Sequence, residues 1–124
     1  MSYRTALQRA TGHGSAKEGV EHWWGQRVTS IALIPLTPLF LFPLGRSLGG
    51  GHEAVLATYA HPLNALVAIL FIVVSAQHLK QGLQVVIEDY VHGKGSRTAA
   101  LLANTFLCWT IGLVGVFAVA RIAL

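Results

Sequence analysis

Residues 98–120 carry no charged side chain and read TAALLANTFLCWTIGLVGVFAVA. An apolar run of roughly 18 residues or more is long enough to cross the hydrocarbon core of a bilayer as a helix. Residues 28–45, VTSIALIPLTPLFLFPLG, are also uncharged, and a helix of this length rises about 27 Å. The prolines inside this second run are tolerated in a membrane, because neighbouring helices absorb the kinks. Both runs therefore predict transmembrane helices.

A third apolar segment begins at His61-Pro62, with proline at the first helical position, where its missing N–H costs nothing. We therefore predict an all-α membrane protein with three transmembrane helices. Glycines 49–51 place a flexible loop between the first two helices. The predicted organisation is a tail at 1–27, a membrane anchor domain at 28–124, spans at about 28–45, 62–87 and 98–122, and a loop at 46–61.

Composition supports this class. The 124 residues are 53% hydrophobic and only 11% charged, against about 25% charged in a typical globular protein. A soluble domain this small needs a polar surface that these residues cannot supply.

The net charge is +4, but no run of Lys and Arg favours nucleic acid as a partner. The single Cys108 lies in an apolar run, which predicts a small buried hydrophobe and no thiolate metal site.

Basic residues predict the orientation, since they are enriched on the cytoplasmic side of membrane proteins. Three spans put the termini on opposite sides, so the basic residues divide into two groups. The distribution predicts a cytoplasmic N-terminus and an outer C-terminus, with membrane lipid as a partner. One side carries Arg4, Arg9, Lys17, Arg27, Lys94 and Arg97; the other carries Arg46 and Arg121.

His78 is an ionisable residue well inside the second span, about 15 Å from its cytoplasmic end. Placing an ionisable side chain inside a membrane costs free energy, so such residues indicate a functional role. Three interpretations stand on spacing alone: a helix–helix hydrogen bond, an axial ligand to haem iron, or a proton-relay or substrate histidine. Gly82 lies one turn further on the same face and leaves space for a flat macrocycle. His61 is about 25 Å away along the helix, so a second haem ligand would have to come from a partner subunit.

Asp89 returns to the face of His78, eleven residues further along the helix, and Tyr90 follows it. A phenol at the membrane edge can donate a hydrogen bond to a quinone oxygen, and a neighbouring carboxylate can relay protons. Tyr90 is equally compatible with an aromatic anchor at the interface, and Asp89 with a loop acid. Arg27 suits either a haem propionate or anionic lipid headgroups.

Residues 78–91, HLKQGLQVVIEDYV, resemble the H-x3-G-x6-D-Y-V signature of the small hydrophobic anchor subunits of succinate dehydrogenase. The segment HWWGQRVTS at 22–30 is similar to the basic-residue start of the first span in that family. The resemblance extends through three spans over most of the chain, and the histidine-to-tyrosine spacing is its specific part. Lys80 and the three prolines of the first span have no counterpart in this pattern.

The resemblance implies a non-catalytic anchor in a four-subunit complex of the bacterial inner membrane, in preference to the mitochondrial one. A flavoprotein subunit and an iron–sulfur subunit would pass electrons from succinate to ubiquinone. The chain would pack into a helical bundle with a companion cytochrome b anchor, and the two would share haem b. On this resemblance His78 is an axial ligand of the haem iron, Arg27 lies near the haem, and Tyr90 and Asp89 contact ubiquinone.

Other classes remain open at this level. The companion cytochrome b anchor and a fumarate reductase anchor are alternatives within the same kind of complex. A small transporter subunit is a more distant one, with His78 and Lys80 as coupling groups. Transporters of that kind carry an acidic residue deep in a span, and residues 28–87 place their only acidic residue, Glu53, in the predicted loop.

Overall fold

The computed structural model describes residues 5–12 and 19–124, and this part of the chain is helical apart from short connections. Residues 1–4 and 13–18 of the predicted tail lie outside the described residues. The helices are α1 (Ala6–Thr11), α2 (Gly19–Leu48), α3 (Gly51–Ala60), α4 (Pro62–Tyr90) and α5 (Lys94–Ala123).

Three of these helices, α2, α4 and α5, are long and apolar enough to cross a membrane. This confirms the all-α class and the number of spans. Each helix includes its predicted span and continues beyond it, and α4 begins at Pro62 as predicted. A helix of 30 residues rises about 45 Å, longer than the ~30 Å hydrocarbon core, so the ends have the length to enter the headgroup layers.

The prediction of a loop over 46–61 was wrong, because this segment contains α3. Gly51 turns the chain with a φ of +75°, and the alanine- and leucine-containing sequence after it favours a helix. Tyr59 anchors α3, since its buried hydroxyl donates to the Phe40 carbonyl oxygen at 3.2 Å. Burial raises the pKa of this phenol, which keeps it protonated as a donor.

Helix α4 is the centre of the molecule. It packs against α2 on one side and α5 on the other, whereas α2 and α5 make no contact within the described residues. Gly112 and Gly115 allow α5 to approach closely, since an added Cβ would lie 3.2 Å from Ala76 and 3.0 Å from Ile72. Ala99 and Ala103 are also small residues one turn apart on α5, but both are exposed in this chain.

The prolines of α2 and a hydrogen bond between α4 and α5 are two further features of the helix packing. Helix α2 continues through Pro35, Pro38 and Pro43 without a break, as expected where helices support one another. Buried Asn104 of α5 donates from Nδ2 to the Lys80 carbonyl oxygen of α4 at 2.9 Å, a hydrogen bond that joins the two helices. Cys108 is buried one turn further along α5, which confirms its predicted burial.

Large apolar side chains cover the outside of the three-helix layer. Ile34 is 72% exposed, Phe106 70% and Phe117 65%. A surface of this kind requires lipid or other membrane subunits around it.

Candidate functional site

The start of α2, the end of α4 and the start of α5 lie at one end of the molecule. The contact of Gln26 with His78 joins the first two, and the contact of Arg97 with Val91 joins the last two. All four residues that the sequence singled out as site residues are on this half of the molecule.

His78 projects from α4 towards α2 and is half-buried. Its Nδ1 lies 2.9 Å from the Thr29 hydroxyl oxygen, and its Nε2 lies 3.5 Å from the Gln26 side-chain nitrogen. Both contacts come from residues of α2. The structure thus places the ring in a helix–helix contact, one of the three roles that spacing allowed.

A layer of polar side chains continues from His78 towards the start of α2. Gln81 is only 8% exposed, and its amide packs against Gly25, where an added Cβ would overlap it. The side-chain oxygens of Gln26 and Gln81 and the Nε2 of His22 are buried without a hydrogen-bond partner in the described structure. Buried polar atoms are normally paired, so this layer has unused capacity to bind a donor or a polar ligand.

Gly82 lies beside this layer. A Cβ added to Gly82 would be 3.7 Å from the Gln26 side-chain nitrogen, an ordinary contact distance. The space next to Gly82 that the sequence predicted for a macrocycle therefore borders the Gln26 amide in this structure.

Asp89 and Tyr90 form the last residues of α4, and both side chains are exposed, Tyr90 by 78%. Arg97 of α5 holds this turn, since its Nε donates to the Val91 carbonyl at 3.0 Å and a terminal nitrogen donates to the Glu88 carbonyl at 2.9 Å. Tyr90 is about 18 Å from His78 along the helix axis. The structure does not bring these two residues into one site.

Arg27 lies on the exposed surface of α2 near its start. Its guanidinium carbon is 5.2 Å from the centre of the Trp23 ring, a cation–π distance. The Trp23 ring in turn meets the Trp24 ring edge-on at 5.1 Å. Arg27 is thus the basic member of an aromatic cluster, which suits a position at the membrane interface.

Sequence reasoning did not assign roles to Gln26, Thr29 or Gln81. The available signal was helical spacing: Gln26 and Thr29 follow His22 by four and seven residues, and Gln81 follows His78 by three. Such residues share one helix face. Spacing within one helix does not determine which face of α2 packs against His78. The contacts of His78 with Gln26 and Thr29 could therefore be identified only from the structure.

These observations define a class of protein: a small helical membrane subunit with a layer of polar side chains between two of its apolar helices. Residues 1–117 match the family of succinate dehydrogenase/fumarate reductase transmembrane subunits. The succinate dehydrogenase hydrophobic membrane anchor subunit of Paracoccus denitrificans is 38% identical over 124 residues, which is all of this chain and 95% of that one. The chain belongs to this family.

More distant relatives carry the same description. The hydrophobic membrane anchor subunit of Rickettsia conorii is 32% identical over 111 residues, covering 88% of each chain. That of Rickettsia bellii is 29% identical over 101 residues, covering 82% of this chain and 81% of its own. The comparison with solved structures found no match. The predicted identity as a succinate dehydrogenase membrane anchor subunit is confirmed, and the transporter alternative is set aside.

Proposed function

We propose that this anchor subunit binds haem b jointly with a companion cytochrome b anchor, and that His78 is one of the two axial ligands. The observation that carries this proposal is the state of the His78 ring. Its Nδ1 has a close partner at 2.9 Å, whereas Nε2 has only a long contact at 3.5 Å with a flexible amide. A neutral imidazole nitrogen of this kind is the usual protein ligand of haem iron.

The surrounding residues fit the haem. Ligation requires the Gln26 amide to move from Nε2, and its buried oxygen has no hydrogen bond to hold it in place. Gly82 adds no side chain to the same space. We assign the second ligand to the companion anchor, because His61, the other histidine at or next to α4's membrane span, lies at the opposite end of this helix.

Arg27 is the residue we assign to the haem propionates. It is exposed at the start of α2, one residue after Gln26, and its guanidinium lies over the Trp23 ring. An arginine fork pairs well with carboxylates, which a propionate supplies.

We place the ubiquinone contacts of this chain at Tyr90 and Asp89. Tyr90 presents an exposed phenol at the end of α4, and the Arg97 hydrogen bonds fix the turn that carries it. The phenol would donate a hydrogen bond to a quinone carbonyl oxygen as negative charge develops there. Asp89 would pass protons from water, so that two electrons and two protons convert quinone to quinol.

The complex then contains a flavoprotein subunit that oxidises succinate, an iron–sulfur subunit and two anchors in the bacterial inner membrane. The N-terminus of this chain lies on the cytoplasmic side. Because the Tyr90 end of α4 is on that same side, quinone bound there takes electrons and protons from one face of the membrane. The anchor itself performs no succinate chemistry.

The test is the variant Tyr90→Phe in the purified complex. Loss of one preorganised donor typically lowers the rate on the order of 10²-fold, so succinate:ubiquinone reductase activity falls sharply. Haem content and succinate oxidation with an artificial acceptor of the soluble subunits stay unchanged. The matched control is Tyr59→Phe, which removes a phenol at the opposite end of the molecule and leaves quinone reduction intact. Full quinone reduction by Tyr90→Phe would limit Tyr90 to an interfacial anchor, and equal loss of both activities would indicate failed assembly.

A further inference from the structure

The Thr29 hydroxyl sits between its own helix and the His78 ring. Its oxygen is 2.9 Å from the Gly25 carbonyl oxygen and 3.1 Å from the Gln26 carbonyl oxygen, both one turn earlier in α2. A hydroxyl has one proton and two acceptor lone pairs. With that proton directed at the helix carbonyls, the hydroxyl meets His78 Nδ1, 2.9 Å away, as an acceptor. This arrangement favours the tautomer with the proton on Nδ1, which His78 would donate to Thr29.

The other ring nitrogen has a neighbour that requires the same tautomer. The Gln26 side-chain nitrogen is 3.5 Å from Nε2, and an amide NH2 group only donates. An acceptor at Nδ1 and a donor at Nε2 both select an imidazole with a proton on Nδ1 and a free lone pair on Nε2. Thr29 makes the shorter contact and is fixed by its backbone hydrogen bonds, so it determines the ring orientation.

We infer that Thr29 is a positioning residue for the haem ligand: it fixes the tautomer and the plane of His78 so that Nε2 is the nitrogen offered to iron. This inference rests on the proposed ligation of haem b by His78. Ligating histidines generally donate their second N–H to a protein acceptor, which orients the ring and raises the basicity of the ligating nitrogen. A more basic ligand favours the oxidised iron, so removal of the Thr29 hydroxyl raises the reduction potential of the haem.

The experiment uses the purified four-subunit complex carrying Thr29→Val, which keeps the shape of the side chain and removes its hydroxyl. The readouts are a potentiometric titration of the haem absorption band and the low-spin electron paramagnetic resonance signal, whose g-values respond to the orientation of the axial imidazole. We expect a higher potential, shifted g-values and a haem that dissociates about 10-fold faster or more. Thr29→Ser, which restores the hydroxyl, returns all three towards wild type.

Thr37→Val is the matched control. Thr37 lies two turns further along α2, and its hydroxyl donates to the Leu33 carbonyl at 2.7 Å without touching His78. This variant removes the same group from the same helix and leaves the haem signals at their wild-type values. If Thr29→Val loses its haem completely, restoration by Thr29→Ser supports the inference, and failure of Thr29→Ser to restore it contradicts the inference.

Failure of the inference is distinguishable from failure of the proposed ligand. Wild-type potential and g-values in Thr29→Val, together with haem loss in His78→Leu, would overturn the role of Thr29 and leave the ligand in place. An unchanged low-spin haem in His78→Leu would overturn both.

Discussion

His78 is held by two side chains of a different helix, and this arrangement makes its two nitrogens unequal. The residues around it are small or flexible on the Nε2 side. Gly82 contributes no side chain there, and the Gln26 amide has an unpartnered buried oxygen. At the scale of single residues, the Nδ1 side of the ring has a close partner, whereas only the Gln26 amide and a glycine border its Nε2 side.

Gly82 tests the importance of that space. We predict that Gly82→Leu lowers the haem content of the assembled complex, because the new side chain extends into the region beside Gln26. Gly82→Ala, whose Cβ fits at an ordinary 3.7 Å contact, loses less haem. The measurement is the ratio of haem absorbance to protein in purified complexes. Gly45→Leu is the control, since a Cβ added at Gly45 meets nothing within 4 Å. Wild-type haem content in Gly82→Leu would refute the claim that this space holds the haem.

The sequence predicted His78 and Gly82 as members of one helix face, since spacing within a helix is a local property. It did not predict Thr29 or Gln26 as their partners. Those contacts depend on how α2 is rotated and shifted against α4, which is decided by packing, such as the fit of the Gln81 amide against Gly25. The roles of the four predicted site residues stay predictions.

At the scale of helices, the central position of α4 organises the molecule. Packing against α2 orients the middle of α4, and Arg97 of α5 fixes its end through two carbonyl oxygens. The Glu88 carbonyl belongs to the last turn of α4 and the Val91 carbonyl directly follows it, where the helix supplies no further backbone donors. Arg97 is therefore a brace for the turn that carries Asp89 and Tyr90.

We predict that Arg97→Gln lowers kcat/KM for ubiquinone, by up to about 10²-fold if the turn shifts by about 1 Å. Haem content remains at its wild-type value, because His78 is about 18 Å from Tyr90 along the helix axis. Succinate oxidation with an artificial acceptor is also unchanged, because that reaction does not use the quinone site. Lys94→Gln is the control, because Lys94 is exposed at the start of α5. This variant also removes one positive charge but keeps the two hydrogen bonds of Arg97. Equal effects of both variants would attribute the change to charge and not to the brace.

The sequence predicted three spans correctly, because an uncharged apolar run of this length in lipid satisfies its own backbone hydrogen bonds by forming a helix. It missed α3, since glycines 49–51 suggested a loop and α3 is too short to produce a strong pattern. Its placement depends on a tertiary contact, the hydrogen bond from Tyr59 to the Phe40 carbonyl. The close approach at Gly112 was predictable from small-residue spacing, but the same spacing at Ala99 and Ala103 lies on an exposed face.

At the scale of the whole molecule, the chain is a layer of three helices with two wide apolar faces. Because α2 and α5 do not pack against each other within the described residues, the polar layer at the α2–α4 junction is built by these two helices. His78 is half-buried at this junction. Membership of the succinate dehydrogenase anchor family implies association with the other subunits of the complex. Under our proposal, the haem would lie between this chain and the companion anchor.

The most direct test is the reduced-minus-oxidised absorption spectrum of the purified complex, compared between wild type and His78→Leu. Wild type is predicted to show a b-type haem band with six-coordinate low-spin iron. The variant is predicted to lose the band or to retain a loosened haem with altered ligation, since the iron has lost one axial nitrogen. An unchanged six-coordinate low-spin haem in His78→Leu would contradict the account.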